Sequence, residues 1–194
     1  MSTMSPSTLV RTLVAVVVMG VFPGLSQAQA PERQSPASLV LLVRHAEKAA
    51  EPAGDPSLTP AGVTRSQALA AALRDAGVTS IITTQLRRTS ETAQPLAKTL
   101  GLTPEVVPTN PGGLEAHVEA VAAAVRRHAG GVVLVVGHSN TIPAIIAALG
   151  GPRLPDICDP IHANLFVLQL GPGEAHLVRS LYGAADPDPG PDCK

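Results

Sequence analysis

Aromatic residues are almost missing from this chain: 2% of 194 residues, with no Trp, one Tyr and two Phe. Stacking platforms for bases, sugars or flavins need such rings, so recognition must rest on charge and hydrogen bonds. Net charge is as scarce. Fourteen basic residues stand against fifteen acidic ones, a formal −1, and they are spread along the chain without the basic stripe or tail that nucleic acid binding requires. Zinc patterns are lacking too, since there is no HExxH and the two cysteines, Cys158 and Cys193, form no CxxC. No metal or cofactor is implied. What remains is 45% hydrophobic residues in a length that suits one well-buried domain and is short for two.

Only the first thirty residues carry a long apolar run. Arg11, then LVAVVVMGVF, then SQAQA with small residues at Ala28 and Ala30 before Pro31 reads as a secretory signal peptide over residues 1–30, cleaved after Ala30. Its apolar core falls short of the about 20 residues that span a bilayer, and no cysteine lies near the cleavage site to carry a lipid. The expectation is an exported protein, periplasmic or secreted, with no stable membrane anchor after cleavage. In an oxidising compartment an even cysteine count commonly pairs, so a Cys158–Cys193 disulfide is expected. It would tie a Pro- and Asp-rich tail, residues 184–194, back to the body.

After a linker at 31–38, residues 39–183 alternate β-rich apolar runs with segments of helical composition. Strands are expected at 39–43, 80–84, 104–107, 132–136, 165–170 and 176–182. Between them, TPAGVTRSQALAAALRDAG starts at a capping Thr59 with Pro60 in the first turn and closes at Gly77. RRTSETAQPLAKTLG, GLEAHVEAVAAAVRRHAGG and TIPAIIAALGG read as further helices ending at glycine. Strands that alternate with helices and lack hairpin turns run parallel with helices on both faces. The last two, joined by GPGEA, look like a hairpin. The fold class is α/β: a three-layer α/β/α sandwich, mostly parallel, with an antiparallel edge.

In open parallel sheets ligands bind beyond the carboxyl ends of the strands. There the first strand delivers Arg44 and His45, the fourth delivers His138 after Gly137, and the second is followed by Arg87 and Arg88. Like charges gathered at one edge repel unless an anion compensates, so the cluster suits an oxyanion such as phosphate. LVRHAEK resembles the RHG or RHA signature of the histidine phosphatase superfamily, the phosphoglycerate-mutase-like fold. Three more stretches match in order: DPSLTPAG (55–62) is similar to the family's LTxxG, TTQLRRTSETA (83–93) to its SxLxRAxxTA, and VVGHSNT (135–141) to the segment with its second histidine.

The resemblance implies that His45 accepts the phosphoryl group, that Arg44 and Arg88 hold its oxygens bidentately, and that His138 donates a hydrogen bond to the transferring group. A small phosphorylated substrate follows, either a phosphate monoester or a phosphoramidate. Elementary chemistry agrees, because a neutral imidazole can attack phosphorus in line while fixed cations stabilise the equatorial oxygens. Most branches of the family also supply a carboxylate that protonates the leaving oxygen. Where some place it directly after the second histidine, this chain has Ser139; Glu115 and Glu47 are the candidates, with Asp55 a rival. Arg87 is read as a solvated charge, Glu91 as its or Arg88's ion-pair partner, and His117, His128, His162 and His176 as structural or exposed. Two other classes compete: a catalytically silent, phosphatase-like anion-binding module, and a serine hydrolase in which Ser139 of GHSNT serves as nucleophile. Thr141 stands where that motif's second glycine belongs.

Overall fold

A computed structural model describes residues 38–109, 112–191 and 193. The expected signal peptide and all of the linker except Ser38 lie outside the described residues. The elements, in chain order, are β1 (Ser38–Arg44), α1 (Pro60–Leu73), β2 (Val78–Thr83), α2 (Arg87–Leu100), β3 (Glu105–Val106), α3 (Gly113–Arg127), β4 (Val132–Gly137), α4 (Thr141–Ala148), β5 (Asn164–Leu170) and β6 (His176–Leu181). They form one six-stranded sheet in the order β3-β2-β4-β1-β5-β6. β1, β2, β3 and β4 pair in parallel, while β5 runs antiparallel to β1 and forms a hairpin with β6.

Strand periodicity decides which helix lies where, since successive side chains point to opposite faces. Val40 and Leu42 of β1, with Val133 and Val135 of β4, meet Val118, Val121 and Val125 of α3 and Ile142, Ile145 and Ile146 of α4. The alternate residues Leu41, Val43, Leu134 and Val136 meet Leu69 and Leu73 of α1 and Ala93 and Leu96 of α2. Two apolar layers on one sheet make the expected three-layer α/β/α sandwich. Each fully buried Leu, Ile or Val contributes about 1.5–3 kcal/mol, so the central strands β1 and β4 anchor the molecule.

Local chemistry sets the helix ends. Thr59 accepts a hydrogen bond from the Gly62 amide at 3.1 Å as the cap of α1, with Pro60 at the first position. α2 stops at Gly101, whose φ of 66° gives the left-handed turn its end requires. α1 itself ends at Leu73 rather than running to Gly77, and a turn bridges the gap.

The topology also creates the crevice. β1 leaves toward α1 on one face and β4 leaves toward α4 on the other, so their outgoing connections part above two adjacent strands. Arg44 pairs with Gly137 in the β1–β4 register, which brings the next residue on each strand, His45 and His138, out of the sheet side by side.

Candidate active site

A cleft of about 520 Å³ opens at this point, lined by Arg44, His45, Lys48, Arg88, His117, His138, Ser139 and Asp159 among others. The four residues expected from the strand ends, Arg44, His45, Arg88 and His138, all line it. His45 is 4% exposed. Its amide donates to the Gly137 carbonyl at 2.9 Å, continuing the strand pairing for one more residue. Nδ1 of its ring lies 2.8 Å from the Ala46 carbonyl. A carbonyl oxygen only accepts, so Nδ1 carries the hydrogen and Nε2 keeps its lone pair. Burial pushes the imidazole down to about 3, with the charges of His138, Arg44 and Arg88 acting in the same direction. His45 is thus a neutral imidazole of one tautomer.

The ring of His138 stands edge-on to His45 with centroids 5.4 Å apart. Burial and the Arg88 charge lower it to about 4. Its Nε2 lies 3.3 Å from the Thr84 hydroxyl, and its amide donates to the Thr141 hydroxyl at 2.8 Å. A side chain at Gly137 would run into Thr141 and Ile142, which explains the glycine of GHSNT. The other motif residues hold the loops. Ala46 N–H donates to the Thr92 hydroxyl at 2.9 Å, and Thr92 in turn donates to the Arg88 carbonyl at 2.6 Å, so α2 is fastened behind the His45 loop. Gly62 lets α1 approach so closely that a Cβ there would overlap the Glu47 carbonyl, which also accepts from the Thr59 amide at 2.8 Å.

The two arginines differ. Arg88, at the start of α2, is half-buried; its Nη1 reaches the Gly54 carbonyl at 3.4 Å and its buried Nε has no partner among the described residues. Arg44 is 5% exposed and does not present a free fork. Its Nη1 donates to the carbonyls of Cys158, Asp159 and Ile161 at 2.8, 2.8 and 3.1 Å, and Nη2 donates to Asp159 Oδ1 at 3.2 Å. Arg44 clamps the segment before β5 through these bonds, and it keeps Nε, buried and unpaired among the described residues, together with the rest of Nη2. Burial lowers both guanidinium groups from their ordinary value, as expected for cations held without a full set of partners.

The proton-donor candidates lie elsewhere. Glu115 is exposed on the first turn of α3, because the buried stripe of that helix runs through His117, Val118, Val121 and Val125 and turns residue 115 outward. Glu47 accepts from Arg65 Nε at 2.9 Å, and although burial opposes it, that bond holds the carboxyl below its usual value. It orients the loop. Asp55 accepts from the Arg87 amide at 2.8 Å as a cap for α2. Arg87 is exposed and pairs with Glu91 at 3.1 Å. Ser139 lines the cleft, yet among the described residues no histidine hydrogen-bonds its hydroxyl.

Three residues at the site carried no functional reading in the sequence. His162 is buried, and its Nδ1 donates to the His45 carbonyl at 2.9 Å. Asp159 lines the cleft beside Arg44. His117 is 4% exposed with its Nδ1 on the Pro108 carbonyl at 3.0 Å. All three come from a loop or helix whose approach to the site depends on tertiary packing. Cys158 and Cys193 are disulfide-bonded with Cα atoms 5.8 Å apart, which ties the C-terminal stretch to the segment Arg44 clamps.

Residues 40–109 match the family model of the histidine phosphatase superfamily (branch 1). Among solved structures, the chain is similar to the protein histidine phosphatase SixA complexed with tungstate: 19% identity, 74% of this chain and 96% of that one covered, TM-score 0.58. A mycobacterial glucosyl-3-phosphoglycerate phosphatase shares 18% identity over 77% of this chain and all (100%) of its own, with TM-score 0.57. None of the curated proteins matches the chain in sequence. At these identities the structural likeness speaks for the fold.

Proposed function

We propose that this chain, which belongs to the histidine phosphatase superfamily, hydrolyses a small phosphate monoester or phosphoramidate through a covalent phosphohistidine on His45. The observation that carries this is the tautomer of His45: with Nδ1–H on the Ala46 carbonyl, Nε2 is the one ring atom left to attack phosphorus. Burial keeps it neutral, as a nucleophile must be. Arg88 and the remaining donors of Arg44 supply charge for the equatorial oxygens, and His138 donates to one of them. Attack by Nε2 breaks the P–O or P–N bond of the substrate; water then attacks the phosphohistidine and releases phosphate. Solved relatives that carry phosphatase names and share the fold support the same chemistry.

Export as a periplasmic or secreted enzyme is part of this reading, supported by the leader-like residues 1–30 and by the disulfide. Among the described residues no helix is long and apolar enough to cross a membrane. An exported enzyme meets few phosphorelay proteins, which favours a small phosphate ester over a phosphorylated protein.

Turnover of an aryl phosphate tests the reading. The parent should release phosphate, His45→Ala should abolish release, and Arg88→Ala should lower it by about 10²–10³-fold through lost stabilisation of the transition state. His45→Ala turning over at the parent rate would remove the nucleophile. Tight phosphate binding with no turnover would leave an anion-binding module.

A further inference from the structure

We propose that His117 is the proton donor to the leaving oxygen. The inference rests on the phosphatase reading and supplies the group that reading lacks. His117 is 4% exposed, and Nδ1–H is committed to the Pro108 carbonyl at 3.0 Å. Its Nε2 is buried without a partner among the described residues. Leaving a buried ring nitrogen unpaired is unfavourable, and here that nitrogen belongs to a residue lining the cleft.

Its place in the fold fits the role. His117 enters from α3, which packs with α4 on one face of β1 and β4. It lines the same cleft as His45, Arg88 and His138, where the phosphoryl group would bind. In-line displacement requires the nucleophile and the leaving oxygen on opposite sides of phosphorus. His117 is also near enough for its charge to depress His138. Asp159, the carboxylate of the cleft, already accepts from Arg44.

The step balances. His45 Nε2 attacks phosphorus, the P–O bond breaks with its electron pair on the leaving oxygen, and the proton on His117 Nε2 passes to that oxygen to give the alcohol. Neutral His117 then takes a proton from the water that attacks the phosphohistidine, which restores both imidazoles and releases phosphate. The titratable and charged groups that line the cleft with His117 are Arg44, His45 and Lys48 from β1 and its loop, Arg88 from α2, His138 after β4, and Asp159. A dianionic phosphoryl group bound there offsets the cations among them.

The experiment compares an alkyl phosphate, which needs a proton donor, with an aryl phosphate bearing a good leaving group. His117→Asn keeps a donor for the Pro108 carbonyl and removes Nε2. It should lose about 10²–10⁴-fold on the alkyl ester and at least ten times less on the aryl ester. In the parent, alkyl turnover should show a solvent deuterium isotope effect from the proton in flight to the leaving oxygen, which aryl turnover shows weakly; this comparison needs no variant to fold. Equal losses on both esters, no loss on either, or the selective loss appearing in Glu115→Gln or Asp159→Asn instead would overturn the assignment. A parent that turns over neither ester would overturn the phosphatase reading and this inference with it.

Discussion

His45 acts as a nucleophile only when neutral, and its ordinary value would leave it partly protonated in mildly acidic water. Burial removes that limitation by lowering it to about 3, and His138 to about 4. Both are neutral above those values, so the acid limb of kcat/KM for the aryl ester should lie near pH 4. An acid limb centred near 6.5, the ordinary histidine value, would show that the site is wetter than this. Residues at strand ends were legible in the sequence because a strand reports its own end: apolar residues stop and the next side chains stand at the sheet edge. Arg44, His45 and His138 were found that way. His117 and His162 were not, since one reaches the cleft and the other the His45 carbonyl only after a helix or loop folds over the sheet. Glu115 shows the same limit from the other side, since its position after a turn said nothing about which way the helix would face.

Elements hold these side chains through a few side-chain-to-backbone bonds. Thr92 joins α2 to the His45 loop through the Ala46 amide. Thr92→Val keeps the volume and leaves that buried N–H unpaired, so stability should fall by about 1–3 kcal/mol in urea unfolding, and kcat should fall as the loop loosens. Unchanged stability and rate would mean that the bond does not position the loop. The four helices and six strands were readable from apolar β-rich runs alternating with segments of helical composition, with ends marked by Thr59, Pro60 and Gly101. Arg44 also works at the scale of elements. The segment before β5 passes beside β1 and presents three carbonyl oxygens that need donors, and Nη1 supplies them.

For the whole molecule, two terms govern stability. The Cys158–Cys193 bond closes a sequence separation of 35 residues, and on the loop-entropy model it stabilises by about 3–4 kcal/mol. Cys193→Ser should lower the melting temperature accordingly; an unchanged melting temperature would show that the bond constrains nothing the fold does not already fix. Asp186 shares this anchoring, accepting from the amides of His162 and Ala163 at 2.9 Å and from Arg65 at 3.3 Å. The C-terminal stretch was expected to be a tail, and one of its three aspartates among prolines gave no sign of that pairing. The second term is pH. His45 and His138 bind protons more weakly folded than unfolded, so stability is full above about 6.5 and falls as pH drops toward about 4 and 3, where they protonate in the fold. Unfolding in that window should take up protons, readable from the slope of stability against pH.

The central claim concerns one nitrogen atom. Mixing the protein with an aryl phosphate, quenching in alkali and mapping acid-labile phosphate by mass spectrometry tests it most directly. Phosphate on His45 is the predicted result. Phosphate on another residue, an acid-stable adduct on Ser139, or rapid turnover with no phosphohistidine at any time point would contradict it.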